Sequence, residues 1–73
     1  MKYFANFEAN HSSFFEKAVE FSNKREAVKY IREVAEGERY ENSPCEWVVY
    51  DEAKNVVASG GMDMFGRRYR VIK

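Results

Sequence analysis

Two short runs rich in β-branched and aromatic residues, 45–50 and 56–59, constrain the fold of this chain more than any other feature. The mostly polar stretch 51–55 between them suits a tight turn, so the runs predict an antiparallel β-hairpin. The first strand of this hairpin is apolar on both faces, and a short chain has little material with which to cover two faces. One face is therefore predicted to meet something other than the chain's own core.

Alternation along this strand assigns its side chains to two different surroundings. We expect Trp47 and Val49, together with Cys45, to lie in the core on the helix side. Val48 and Tyr50 are expected on the opposite face, where a partner would bind.

The same pattern predicts how the hairpin turns and where it ends. Asn55 is expected to be the left-handed residue that closes the turn, since Asn tolerates a positive φ better than other non-glycine residues. Gly60 and Gly61 are expected to end the second strand. Residues 62–66 would then form a loop that carries three large apolar side chains.

One amphipathic helix is predicted to begin at residue 22 or 23. Asn23 and Glu26 have the spacing of a capping box, and Gly37 suits the left-handed residue that commonly follows a helix. A helix of about 13 residues, roughly 20 Å long, would just cross one face of a small sheet. Its apolar stripe consists of Ala27, Val28, Ile31, Val34 and Ala35.

Further strands are predicted at both ends of the chain, at 2–8 and 67–72. The first has one apolar face and an outer face that is expected to be mostly wet, with Asn6 on the wet side. In the last strand, Tyr69 and Val71 face one way, opposite to the neighbouring arginines.

Residues 14–21 have two interpretations. As a helix, the segment would have Ser13 as N-cap and Glu16 three residues later. We favour a strand, because a second helix begins directly after Phe21 and two helices without a linker would need a sharp break there. The order is then β-β-α-β-β-β: an α+β domain over 1–73, with a single antiparallel sheet of about five strands and one helix on one face.

Aromatic residues occur on both sides of this predicted sheet, whereas one helix covers only one side. The chain has six Phe, five Tyr and one Trp among its 73 residues. We therefore predict a small non-enzymatic module that binds a protein partner or associates with itself, with a homodimer as the least demanding arrangement. The candidate interface residues are Phe4, Phe14, Val48, Tyr50, Met64 and Phe65.

A different class of function, nucleic-acid binding, is the alternative. Twelve basic and twelve acidic residues cancel, which argues against a general electrostatic attraction to nucleic acid or anionic membrane but leaves room for a local patch. Arginines would contact phosphates and an aromatic ring could stack on a base. The same basic residues could instead protect an edge strand or pair with acidic residues near the helix end. The candidate contacts are Arg67, Arg68, Tyr69, Arg70 and Lys73.

The chain offers few groups for catalysis. His11 and Cys45 are the only histidine and cysteine, and we interpret them as a solvated turn residue and a small apolar residue. No calcium-loop or phosphate-loop spacing is present, so neither an enzymatic activity nor a cofactor is predicted. The lone cysteine and the lack of a secretory segment or an apolar run of about 20 residues favour a cytoplasmic protein that does not span a membrane.

Two resemblances accompany these patterns. Residues 22–37, residues 47–51 and the arginine-rich end resemble short uncharacterised proteins of Gram-positive gut bacteria and their mobile elements. That resemblance spans most of the chain and implies no assigned activity. Residues 1–8 are similar to the first strand of HicB-type antitoxins, but those proteins continue with a Phe-Pro-Asp-Leu-Pro-Gly-Cys segment that this chain lacks, so their function is not carried over.

Overall fold

The computed structural model of the chain describes residues 1–9, 12–13, 18–39 and 43–72. Within these ranges one antiparallel sheet carries one helix on one face, which confirms the predicted α+β class and the hairpin that follows the helix. The elements are β1 (Tyr3–Ala9), β2 (Ser12–Ser13), β3 (Val19–Phe21), α1 (Lys24–Glu38), β4 (Cys45–Asp51), β5 (Val56–Met62) and β6 (Arg68–Ile72).

The sheet has the order β2-β1-β4-β5-β6, and β3 also pairs with β1. Because β4 pairs with β1 along the whole length of β1, strands β2 and β3 share the other edge of β1. The six strands therefore fill five positions, as predicted. Since β3 and β4 are both antiparallel to β1, they run parallel to each other, and α1 is the crossover between them.

The strand interpretation of 14–21 is confirmed where the structure describes it, in Val19–Phe21. Ser13 lies in β2 and is not a helix N-cap. Residues 14–17 lie outside the described residues. The strand is favoured because β2 and β3 both pair with β1, which satisfies backbone N–H and C=O groups of all three strands.

Asn23 is the N-cap of α1, and its side-chain oxygen accepts hydrogen bonds from the backbone N–H of Arg25 at 2.8 Å and of Glu26 at 3.3 Å. The predicted end at a left-handed Gly37 is wrong: the helix continues through Gly37 to Glu38 and stops where Arg39 is extended. Just after the end of α1, the Arg39 side chain donates a hydrogen bond to the Ser43 carbonyl at 2.6 Å. Among the described helices, none has the length and apolar character needed to cross a membrane.

The core lies between α1 and the sheet face that it covers. Trp47, Val49 and Cys45 are buried there, as predicted, and Trp47 and Val49 are among the largest fully buried side chains. The helix stripe is confirmed as well, with Val34 half-buried. The remaining members of the core cluster are Ala5, Phe7, Ala27, Val28, Ile31, Ala35, Ala58 and Met62.

The two adjacent glycines do not end β5, contrary to the prediction. They sit inside the strand because an aromatic side chain occupies the space beside each of them. A Cβ at Gly60 would lie 2.6 Å from Cζ2 of Trp47, and one at Gly61 would lie 2.8 Å from the hydroxyl of Tyr69. The strand then continues to Met62, which is buried in the core and is not part of the predicted loop.

Both hairpin turns, β4–β5 and β5–β6, have one and the same hydrogen-bond pattern. In the first, the Asp51 carbonyl accepts from the Lys54 N–H at 3.0 Å, and Lys54 is left-handed with φ 66°. In the second, Asp63 and Gly66 take these places, at 3.0 Å and φ 82°. The prediction of a left-handed Asn55 is therefore wrong, since a three-residue loop of this type places the left-handed residue one position earlier.

Candidate functional site

The sheet face opposite α1 carries apolar side chains on four neighbouring strands. Residues that pair across neighbouring strands share a face, and successive residues along a strand point to opposite faces. The register of β1, β4, β5 and β6 therefore determines which side chains lie on this face. We call this surface the open face. Its apolar members are Phe4, Val48, Tyr50, Val56, Tyr69 and Val71.

A pair of stacked rings occupies the part of the open face over β1 and β4. The rings of Phe4 and Tyr50 are 5.6 Å apart with an interplanar angle of 22°. Beside them Asn6 donates a long hydrogen bond, 3.4 Å, from Nδ2 to the Tyr50 hydroxyl. Asn6 is only 3% exposed, so this part of the face is drier than the first strand's pattern predicted. The predicted orientation of Val48 and Tyr50 is confirmed, and both are half-buried.

Tyr69 covers the open face over β5. Its hydroxyl lies beside Gly61, where a Cβ would also meet the Cys45 carbonyl oxygen, so only glycine leaves room for the ring. Burial raises the pKa of the Tyr69 hydroxyl, and the negative charge of Glu46 raises it further. Tyr69 and Val71 are nevertheless about half exposed, at 49% and 50%. Of the open face, strand β6 thus presents the most accessible apolar side chains.

The structure gathers only part of the predicted interface on this face. Phe4, Val48 and Tyr50 lie together, whereas Met64 and Phe65 lie in the β5–β6 turn, exposed beyond the end of the strands. Phe14 lies outside the described residues. The contributions of β5 and β6 were missed because alternation within β6 reveals two faces but does not reveal which of them matches Tyr50.

The predicted nucleic-acid contacts divide between the two faces. Arg68 and Arg70 lie on the helix side, while Tyr69 lies on the open face. Arg67 follows the β5–β6 turn, and Lys73 lies outside the described residues. Tyr69 nevertheless lines one depression together with Arg68 and Arg70, and the acidic Glu36 lines it as well.

Arg68 is engaged with the helix. Its Nε donates to both carboxylate oxygens of Glu36, at 2.9 and 3.1 Å. This hydrogen bond and the charge of Glu36 raise the pKa of the Arg68 guanidinium. The pairing of a β6 arginine with an acidic residue near the helix end, one of the two structural interpretations of this strand, is therefore present.

A basic groove between α1 and β6 was missed by the sequence reasoning. Its volume is about 470 Å³, and it is lined by Val28 and by five cationic residues, Lys24, Arg25, Lys29, Arg32 and Arg70. The spacing of the helix cations at 25, 29 and 32 is visible in the sequence as one helical stripe. The wall that Arg70 supplies is visible only once β6 has been placed beside β5.

Groups suited to catalysis are few in the described part of the chain. Cys45 is buried, and burial raises the pKa of its thiol, which keeps it protonated. Asp51 and Asp63 each accept two backbone N–H groups in their turns, which lie at opposite ends of β5. No cluster of three or more potential metal ligands is present among the described residues. His11 lies outside them.

Comparison with protein-family models, with curated proteins and with solved structures finds no match to this chain. The resemblance to short proteins of Gram-positive gut bacteria and the likeness to the first strand of HicB-type antitoxins stay predictions. Function must therefore be argued from the two surfaces themselves.

Proposed function

We propose that this protein is a small cytoplasmic, non-enzymatic module that forms a homodimer by packing its open face against a second copy. The supporting observation is the set of apolar side chains on the face that α1 leaves uncovered. Three of them, Val56, Tyr69 and Val71, are between 38% and 50% exposed. Their burial against a second copy would remove this apolar surface from water, which is the main driving force of association.

The size of the face suits such an interface. The two longer dimensions of the chain are 36 and 22 Å, which bound a face of about 800 Å². A standard protein interface buries about this area on each partner.

The charged side chains of the open face lie at the two ends of β1. Lys2 lies at one end, near Glu20 at 3.9 Å, and Glu8 lies at the other end on the same face. At about 3.3 Å per residue, Lys2 and Glu8 are roughly 20 Å apart. Lys2 already pairs with Glu20, and Glu8 lies opposite Glu46 on β4, so these charges flank the apolar part of the face and do not select the partner.

The centre of this interface would be aromatic. The stacked rings of Phe4 and Tyr50 are held in place by the neighbouring strands and by the Asn6 hydrogen bond. Rigid aromatic side chains near the centre commonly supply most of the binding energy of an interface. The accessible Tyr69 and Val71 would add to this centre from the β6 side.

The test is the mass of the protein in solution over micromolar concentrations, by sedimentation or by light scattering after gel filtration. We expect a dimer for the natural chain and a monomer for Val71→Glu, because the substitution places a charge in the apolar face. Phe65→Glu is the matched control: it makes the same kind of change at a more exposed residue off the face, and it should leave the dimer intact.

Two results would contradict the proposal. One is a natural chain that is monomeric throughout the micromolar range. The other is a dimer that Phe65→Glu dissociates and Val71→Glu does not, since the β5–β6 turn would then be the interface.

A further inference from the structure

We propose that the basic groove between α1 and β6 binds the phosphate backbone of single-stranded nucleic acid. The groove lies on the helix side of the sheet, so this inference does not rest on dimerisation through the open face. In a face-to-face dimer, the groove of each copy would still point outward and be free to bind.

The positive charges of the chain are concentrated in this groove. The chain as a whole is neutral, with twelve basic and twelve acidic residues. The groove nevertheless collects five cationic residues from two elements, and none of its described lining residues is acidic. Glu36, which lines the adjoining depression, is held by Arg68. Five like charges around one concave surface repel one another, and a bound polyanion would relieve that repulsion.

The spacing of the cations fits an extended anion. Arg25, Lys29 and Arg32 are separated by four and three residues, so they follow one side of the helix over about 10 Å. Arg70 stands on the opposite wall, on β6. An extended phosphodiester chain along the helix would present more than one phosphate over this length, between cations on both sides.

The size and the lining of the groove suit a single backbone strand. A space of about 470 Å³ between one helix and the neighbouring edge strand offers room for part of one backbone strand and not for a whole double helix. None of its described lining residues is aromatic, so the groove itself offers no ring for base stacking. Contacts would therefore be limited to the backbone, and binding would be independent of base sequence.

The experiment is fluorescence anisotropy of a labelled oligothymidylate titrated with the full chain at several salt concentrations. If about three phosphates are neutralised along the groove, the log–log slope of affinity against salt is about −2.1, so a fourfold rise in salt weakens binding roughly 20-fold. A duplex of the same length should bind more weakly at each salt concentration.

Two groove variants test both walls. Arg25→Glu combined with Lys29→Glu changes the helix wall, and Arg70→Glu changes the strand wall; all three residues are exposed, so the fold should tolerate them. The double variant should weaken binding at least about 10-fold and lower the slope by about 1.4. Lys54→Glu with Arg67→Glu is the matched control, because it changes the net charge equally at exposed turn residues outside the groove.

Circular dichroism of each variant verifies folding before binding is compared. Three results would overturn the inference: no binding by the natural chain at low salt, equal losses in the groove and control variants, or binding that does not depend on salt. The inference would also be overturned if the natural chain bound vesicles containing phosphatidylserine but not the oligonucleotide, and the groove variants lost this vesicle binding. The groove would then bind a membrane surface.

Discussion

Gly60→Ala should destabilise this protein strongly, although it adds only one methyl group. The new Cβ would lie 2.5 Å from the Tyr69 carbonyl oxygen and 2.6 Å from Cζ2 of Trp47. Favourable contacts between such atoms lie near 3.5 to 4.0 Å, so both neighbours would have to move about 1 Å. Trp47 is 1% exposed and the carbonyl belongs to the backbone of β6, so neither can move alone.

The expected loss is about 2 kcal/mol. Two contacts this short place the substitution at the upper end of the about 1 to 3 kcal/mol that overpacking of a core typically costs, and the smaller backbone entropy of Ala in the unfolded chain returns about 0.5 to 1 kcal/mol. For a chain of this size, each 1 kcal/mol shifts the melting temperature by about 4 to 8 °C, so we expect a decrease of about 10 °C. Thermal and urea unfolding followed by circular dichroism measure both quantities.

Gly37→Ala is the matched control, with the same chemical change at a helical position. A Cβ at Gly37 would meet nothing within 4 Å, so only the helix propensity changes. Ala is preferred over Gly inside a helix by about 0.8 to 1 kcal/mol, and stability should rise by about that amount. A Gly60→Ala protein as stable as the natural one, or the same sign of change at both positions, would refute the steric reasoning.

Three further predictions concern the turns, the thiol and the groove. Lys54→Gly should raise the free energy of unfolding by about 0.5 to 1 kcal/mol and Gly66→Ala should lower it, because both positions are left-handed. Urea unfolding measures both changes, and changes of the same sign would contradict this prediction. The thiol of Cys45 should react slowly with a disulfide reagent until denaturant is added, and rapid labelling of the native protein would show that it is accessible. Because burial raises the pKa of this thiol, its contribution to stability is complete below the ordinary thiol pKa and is lost as the pH rises toward the folded value. Glu36→Gln should release Arg68 and tighten oligonucleotide binding a few-fold, whereas unchanged affinity would place Arg68 outside the bound strand.

Local patterns were enough to predict the helix and the hairpin, because their signals lie within one segment. The cap at Asn23 and the alternation around Trp47 each involve residues only a few positions apart. Gly60 and Gly61 show where such reasoning fails. Two glycines usually weaken a strand, but here packing against rings from other strands overrides the local preference.

The two candidate surfaces were only partly predictable for the same reason. Phe4, Val48 and Tyr50 could be placed on one face from alternation alone, since β1 and β4 were each clear. Tyr69 joins them only through the register of β6 on β5, which no local pattern specifies. The basic groove needs the relative position of α1 and β6, so a stripe of helix cations did not reveal a concave site.

The repeated turn at Asp51 and Asp63 has a consequence for how the chain folds. Each turn closes a loop of three residues, whereas even the closest pair between β1 and β4, Ala9 and Cys45, has 35 residues between its members. Loop closure over a roughly twelvefold longer segment costs about 2 kcal/mol more in entropy, so the three-stranded meander β4–β5–β6 should form first and template the docking of β1. Stopped-flow refolding should then show that Asp63→Ala mainly slows folding while Ala5→Gly mainly accelerates unfolding, and the reverse pattern would place the nucleus in the N-terminal half.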